Sequence, residues 1–130
     1  KNPLFRGGGT VFGPEPRDYT QKLNHKVKQL ARRSALSYKA QEKAILVVEG
    51  LKMDAPKTKD FAGLMKGLDL SNNKTLMVLP AANENVYMSS RNLPKHRVML
   101  ATDLSTYDIM NCNTLILVDD AHKVIEGMLK

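Results

Sequence analysis

The run Gly7-Gly8-Gly9-Thr10-Val11-Phe12-Gly13 comes nearest in residue type to a phosphate-binding loop. A nucleotide loop needs a preceding strand and a helix that begins at once, so that the helix N-terminus meets the phosphate. Here Pro14 and Pro16 follow, and no Gly-Lys-Ser/Thr ending occurs. The glycines instead suit close backbone packing, or a main chain that approaches a nucleic-acid backbone with no side chain intervening. His25, His96 and His122 fall on a helix, a loop and a second helix of the predicted layout, without a second ligand type at a metal-binding spacing. Lone Cys112 lies in no local catalytic signature and is assigned no chemistry. Asp119 and Asp120 are adjacent, hence on different sides of a helix start, where they complement the helix dipole and cannot converge as an acid and base pair.

What remains is charge. The formal net charge is +7, and residues 1–43 carry all of that excess. Ten bases lie there (Lys1, Arg6, Arg17, Lys22, Lys26, Lys28, Arg32, Arg33, Lys39, Lys43) against three acids (Glu15, Asp18, Glu42). Residues 44–130 hold ten of each sign. Clustered charge implies a partner, and a basic arm and helix attached to an electrically neutral body imply a polyanion.

Two kinds of element must carry these groups. The first twenty residues hold four glycines and three prolines without helical or alternating periodicity, which predicts an extended arm over 1–20. From Lys22 to about Ala40 neither Gly nor Pro interrupts, and Leu23, Val27, Leu30, Ala31, Ser34 and Tyr38 fall along one helical face. That wheel places Lys22, Lys26 and Arg33 at the edge of the apolar stripe, with Lys28, Arg32 and Lys39 on the outward face. After Lys43, short apolar runs at 45–48, 76–79, 98–100 and 115–118 alternate with helical patterns. Phe61, Leu64, Met65 and Leu68 repeat at helical spacing, as do Ala121, Val124, Ile125, Met128 and Leu129, while Asn83 and Ser105 or Thr106 are candidate helix caps. Strands that are apolar throughout and alternate with helices predict a parallel sheet covered on both faces. The fold class is α/β: a three-layer α/β/α sandwich with about four parallel strands over 21–130, preceded by the basic arm.

With 130 residues, 42% hydrophobic and 25% charged, the chain has an ordinary globular composition. No apolar run approaches the roughly 20 residues of a membrane span, so no membrane partner is expected. A single cysteine and no apolar leader fit a reduced, intracellular setting. A chain that opens at Lys1 instead of Met reads as a piece of a longer protein. The basic helix has no acids at i+4 to neutralise it and continues an arm bearing Arg6 and Arg17, which favours nucleic-acid binding over a merely solvated face. The arm's only aromatics are Phe5, Phe12 and Tyr19, so contact with the backbone of a folded RNA should outweigh stacking on bases. Two rival readings use other features. A nucleotide- or metabolite-binding α/β enzyme would place its ligand at the strand carboxyl ends, near Glu49, Pro80-Ala81-Ala82, Thr102-Asp103 and Asp119. A regulator that binds messenger RNA would use the same basic surface.

Several runs carry a more specific resemblance. These are Leu4-Phe5-Arg6-Gly7-Gly8-Gly9-Thr10-Val11-Phe12-Gly13-Pro14-Glu15-Pro16-Arg17-Asp18-Tyr19, Lys22-Leu23-Asn24, Ala31-Arg32-Arg33-Ser34-Ala35-Leu36-Ser37, Pro56-Lys57-Thr58-Lys59 and Asn85-Val86-Tyr87-Met88-Ser89-Ser90-Arg91-Asn92-Leu93-Pro94. Together with Leu115-Ile116-Leu117-Val118 before a terminal helix, they resemble, in order and spacing, the large-subunit ribosomal protein four family. The resemblance implies a ribosomal structural protein in the cytoplasm. Its globular domain would lie on the subunit exterior and its long loop would thread through ribosomal RNA. It implies no catalysis, no cofactor and no small-molecule substrate; the expected partners are large-subunit ribosomal RNA and neighbouring large-subunit proteins. Under it, residues 1–20 are the returning limb of that loop, and Arg6, Gly7, Gly8, Gly9, Arg17, Lys22, Lys26 and Arg32 face RNA. With the cations placed by charge and wheel position, the candidate RNA-binding set is Lys1, Arg6, Gly7, Gly8, Gly9, Arg17, Lys22, Lys26, Lys28, Arg32, Arg33 and Lys39. The elements before the arm and the basic loop tip are missing from the match, so tunnel contacts are not carried over.

Overall fold

A computed structural model of the chain describes residues 1–129. After an irregular segment, 1–24, come α1 (His25–Gln41), β1 (Ile45–Val48), α2 (Thr58–Gly67), β2 (Thr75–Leu79), α3 (Glu84–Ser90) and β3 (His96–Leu100). A single 3-10 turn (Ala101–Asp103) then leads to α4 (Thr106–Asn111), β4 (Thr114–Val118) and α5 (Ala121–Leu129). The four strands form one parallel sheet in the order β1-β4-β2-β3. The crossovers from β1 to β2 and from β2 to β3 step the same way across the sheet, so right-handed connections put α2 and α3 on one face. The step from β3 back to β4 reverses direction and puts α4 on the other, with α5 and α1 beside it. This is the expected α/β/α sandwich.

Two cores result, one per face. Phe61 and Met65 of α2, with Val86 of α3, pack on Met77, Leu79, Val98, Ile116 and Val118. Ala35 of α1, Ile109 of α4, and Ala121 and Ile125 of α5 pack on Leu76, Val78, Leu115 and Leu117. Both central strands β2 and β4 are buried on both sides, apart from the half-buried Thr114. At the β1 edge coverage fails: Leu46 and Val47 are exposed, because the helices centre on β4 and β2. The starts of α3 and α4 follow the expected capping logic. Asn83 accepts the Val86 N–H (3.3 Å) and Ser105 accepts the Asp108 N–H (3.1 Å).

Three expectations need correction. The first helix starts at His25, not Lys22, with Asn24 in extended conformation before it, so Lys22 and Leu23 belong to the arm. Its apolar stripe does not pack: Leu23, Val27, Leu30 and Tyr38 are each at least half exposed. The inward face is instead Gln29, Arg32, Ala35, Leu36 and Lys39. The small Ala35 lets the helix approach Ile109 and Cys112, the aliphatic stems of Arg32 and Lys39 supply apolar area, and Gln29 donates to the Met128 carbonyl (3.1 Å). Finally, His96 is the first residue of β3, not part of a loop; its Nδ1 lies 2.7 Å from the Thr75 hydroxyl.

Three measurements follow from this packing. Phe61 is 1% exposed, so Phe61→Ala should lower the unfolding free energy by about 3–5 kcal/mol in urea titrations. Lys39 packs its stem and keeps its ammonium 3.5 Å from Glu42. Lys39→Ala should therefore cost about 1–2 kcal/mol, most of it regained in Lys39→Met; a methionine variant as unstable as the alanine one would assign the effect to charge. Burial, with the Lys95 ammonium nearby, holds the His96 imidazole below its ordinary value of 6.5. The folded state thus keeps neutral a ring that the unfolded chain would protonate. Stability should be complete above that ordinary value and fall as pH drops toward the lower folded one. The fall should be reduced in His96→Gln, and an identical pH profile for both proteins would contradict the assignment.

Candidate nucleic-acid interface

The arm is built from two pieces. Residues 1–9 form a tight turn in which Phe5 N–H donates to the Asn2 carbonyl (3.0 Å), Gly8 N–H to Phe5 (2.8 Å) and Gly9 N–H to Lys1 (3.3 Å). Gly7 has φ +71, and a Cβ on Gly8 would overlap the Asn2 and Phe5 carbonyl oxygens, so both positions need glycine for the turn itself. The close backbone packing anticipated for this run is present, and it is local. Residues 10–24 then run without regular structure, and 1–24 are exposed except for the half-buried Gly8. Within that stretch the Arg17 guanidinium lies 4.4 Å from the centroid of the Tyr19 ring. Hydrogen bonds from the Thr20 hydroxyl and N–H hold the Asp18 carboxyl below its ordinary value.

The expected RNA-facing cations separate into two groups. Lys1, Arg6, Arg17, Lys22, Lys26, Lys28 and Arg33 are exposed. Among the described residues, none of these seven has an acid within salt-bridge distance; the ion pairs are Lys39–Glu42, Arg97–Asp108 and Lys123–Asp120. Arg32 and Lys39 were placed on the outward face, and this is a correction. Arg32 is half-buried beside Leu36 and Ile125, and Lys39 is 7% exposed and paired. Both lie on the face of α1 that packs against α4 and α5, for the packing reason given above. Lys26 and Arg33 are seven residues apart, about 10 Å along one side of α1, beside the exposed Val27 and Leu30. A row of unpaired cations on an irregular arm and a rigid helix can follow a phosphate backbone, while the solvated apolar side chains between them tolerate ribose contact.

Elsewhere the chemistry is sparse. No group of three potential metal ligands occurs among the described residues. Burial pushes the Cys112 thiol up, and its S–H donates to the Ile109 carbonyl (3.2 Å). At the strand carboxyl ends Asp119 accepts the Gly50 N–H at 2.7 Å, which ties the loops after β1 and β4 together. Its carboxylate is thereby committed to structure. A cavity of about 710 Å³ lies instead along β3. Ala82 and Asp103 line it, but Glu49, Pro80, Ala81, Thr102 and Asp119 do not, so the residues an α/β enzyme would use are not gathered in one place. Arg91 and Arg97, which do line it, were given no role from the sequence: Arg91 lies in the 85–94 run but apart from any cluster of like charge, and Arg97 lies in no run or cluster.

No helix among the described residues is long and apolar enough to cross a membrane. Comparison with known proteins agrees with the motifs. The chain is 52% identical over 128 residues to the large ribosomal subunit protein uL4 of Phocaeicola vulgatus, covering 98% of this chain and 62% of that protein. It is 52% identical to the uL4 of Flavobacterium johnsoniae and 54% identical to that of Flavobacterium psychrophilum, each over 129 residues, 99% of this chain and 62% of theirs. The chain thus spans 62% of the length of these relatives. A sequence profile described as the ribosomal protein L4/L1 family matches residues 1–128, and the chain belongs to that family.

Proposed function

We propose that this chain binds large-subunit ribosomal RNA as a non-catalytic structural constituent of the large ribosomal subunit, in the cytoplasm. Neighbouring large-subunit proteins surround it there. The observation that carries this reading is the row of seven exposed cations without acidic partners between residues 1 and 33, attached to a body whose charges balance. Residues 1–24 act as the returning limb of an extended RNA-binding loop, and the α/β body that begins at His25 acts as the globular domain that fixes its exit. Lys1, Arg6, Arg17, Lys22, Lys26, Lys28 and Arg33 meet phosphates and set orientation. Gly7 and Gly8 shape the turn that presents Arg6, and Gly9 leaves the main chain open to the RNA backbone. Arg32, half-buried on α1, stands at the margin of the contacting set, and Lys39 is withdrawn from it.

Filter binding with large-subunit ribosomal RNA tests this. If about six phosphates are engaged, affinity should fall roughly a thousandfold between about 50 and 200 mM salt. Replacing Lys22, Lys26 and Arg33 together with alanine should weaken binding and flatten the salt dependence, with little change in melting temperature. A flat salt response of the unaltered chain, or unchanged affinity in the triple variant, would overturn the mechanism.

A further inference from the structure

The cavity along β3 is independent of the cationic arm. Its floor is the whole of β3, and its walls come from both helix layers: Tyr87, Ser90 and Arg91 of the α3 side, Asp103 and Asp108 of the turn and α4. β3 is the edge strand of the sheet. Its Lys95 neighbour accepts the Thr75 N–H through its carbonyl (2.9 Å), and main-chain groups alternate along a strand. Arg97 and Met99 therefore face β2, while His96, Val98 and Leu100 turn theirs outward. The Leu93 carbonyl takes the His96 N–H (3.2 Å). Among the described residues, neither the N–H and C=O of Val98 nor the N–H of Leu100 has a hydrogen-bond partner on this open edge.

Charge divides the groove by end. Glu84, which opens α3, and Asp103, which follows β3, lie at the strand's carboxyl end. At the amino end stand Arg91, after α3, and Arg97, whose guanidinium is held by Asp108 at 2.5 Å. Between them the lining is apolar, from Leu79, Val98, Met99 and Leu100. A phosphate chain would meet three carboxylates here, and a second whole domain would meet the helices that wall the groove. A single extended strand fits: it supplies the missing main-chain partners over about 16 Å, and its terminal charges can complement both ends.

We propose that the β3 groove receives an extended segment of a partner protein as a fifth strand, with an acidic side chain toward Arg91 and a basic one toward Glu84 and Asp103. The partner segment has alternating apolar residues between those charges and runs parallel to β3, as the other strands do. Its main chain gives affinity and its two ends give direction.

The probe is a capped seven-residue peptide of alternating valine and threonine, with glutamate at its amino end and lysine at its carboxyl end. Titrated into the isotopically labelled chain, it should shift the amide resonances of 96–100 and slow hydrogen exchange at Val98 and Leu100. Methylating the peptide amides that face β3 should weaken binding at least about tenfold. Arg91→Glu, or Glu84→Lys with Asp103→Lys, should weaken it about threefold while leaving RNA affinity unchanged. The proposal is overturned if the peptide leaves Val98 and Leu100 unprotected or if the methylated peptide binds equally. It is also overturned if the free chain dimerises through these same amides in sedimentation.

Discussion

Both faces of the parallel sheet must be kept from water, and this burial decides where the polar chemistry of the chain can be. β2 and β4 have no polar face of their own, so five helices are drawn onto them. α1 is recruited through Ala35 and the stems of Arg32 and Lys39, and that rotation turns Lys26, Lys28 and Arg33 to solvent. The same demand fixes the position of Asn24, from which the arm leaves. The cationic surface is thus a by-product of apolar packing, held in place by Ala35 against Ile109 and Cys112.

Within the body, charges have local work. Asp60, Glu84 and Asp108 lie in the first turns of α2, α3 and α4, and Lys39 and Lys66 in the last turns of α1 and α2, where each complements the dipole of its helix. Asp108 in addition orients Arg97 and receives the Ser105 hydroxyl at 2.5 Å. No such work accounts for the exposed cations of residues 1–33: α1 has no acid in its first turn, and the arm has no helix to stabilise. That contrast, more than the total charge, separates a binding surface from a solvated one.

The sheet was legible because buried parallel strands leave continuous apolar runs; each run, from the first at Ile45 to the last ending at Val118, lies within an observed strand. Caps at Asn83 and Ser105 were legible because their side chains act over three residues. What sequence patterning misses is rotation about a helix axis set by tertiary contact. The stripe through Val27, Leu30 and Tyr38 has the right period, yet α1 packs against α4 and α5 by the neighbouring stripe through Arg32 and Lys39, whose stems count as polar in any residue alphabet. The β3 groove left no trace either, since it joins residues from Leu79 to Asp108 that only the crossover topology brings together.

The central claim is that exposed cations near the amino end, and not the lysines of the strand ends, meet the RNA backbone. Lysine acetylation of the chain, free and bound to large-subunit ribosomal RNA, with each site read by mass spectrometry, tests it most directly. The account predicts that Lys1, Lys22, Lys26 and Lys28 lose reactivity in the complex while Lys74 and Lys95 keep theirs. Protection confined to Lys74 and Lys95, or absent throughout, would contradict it.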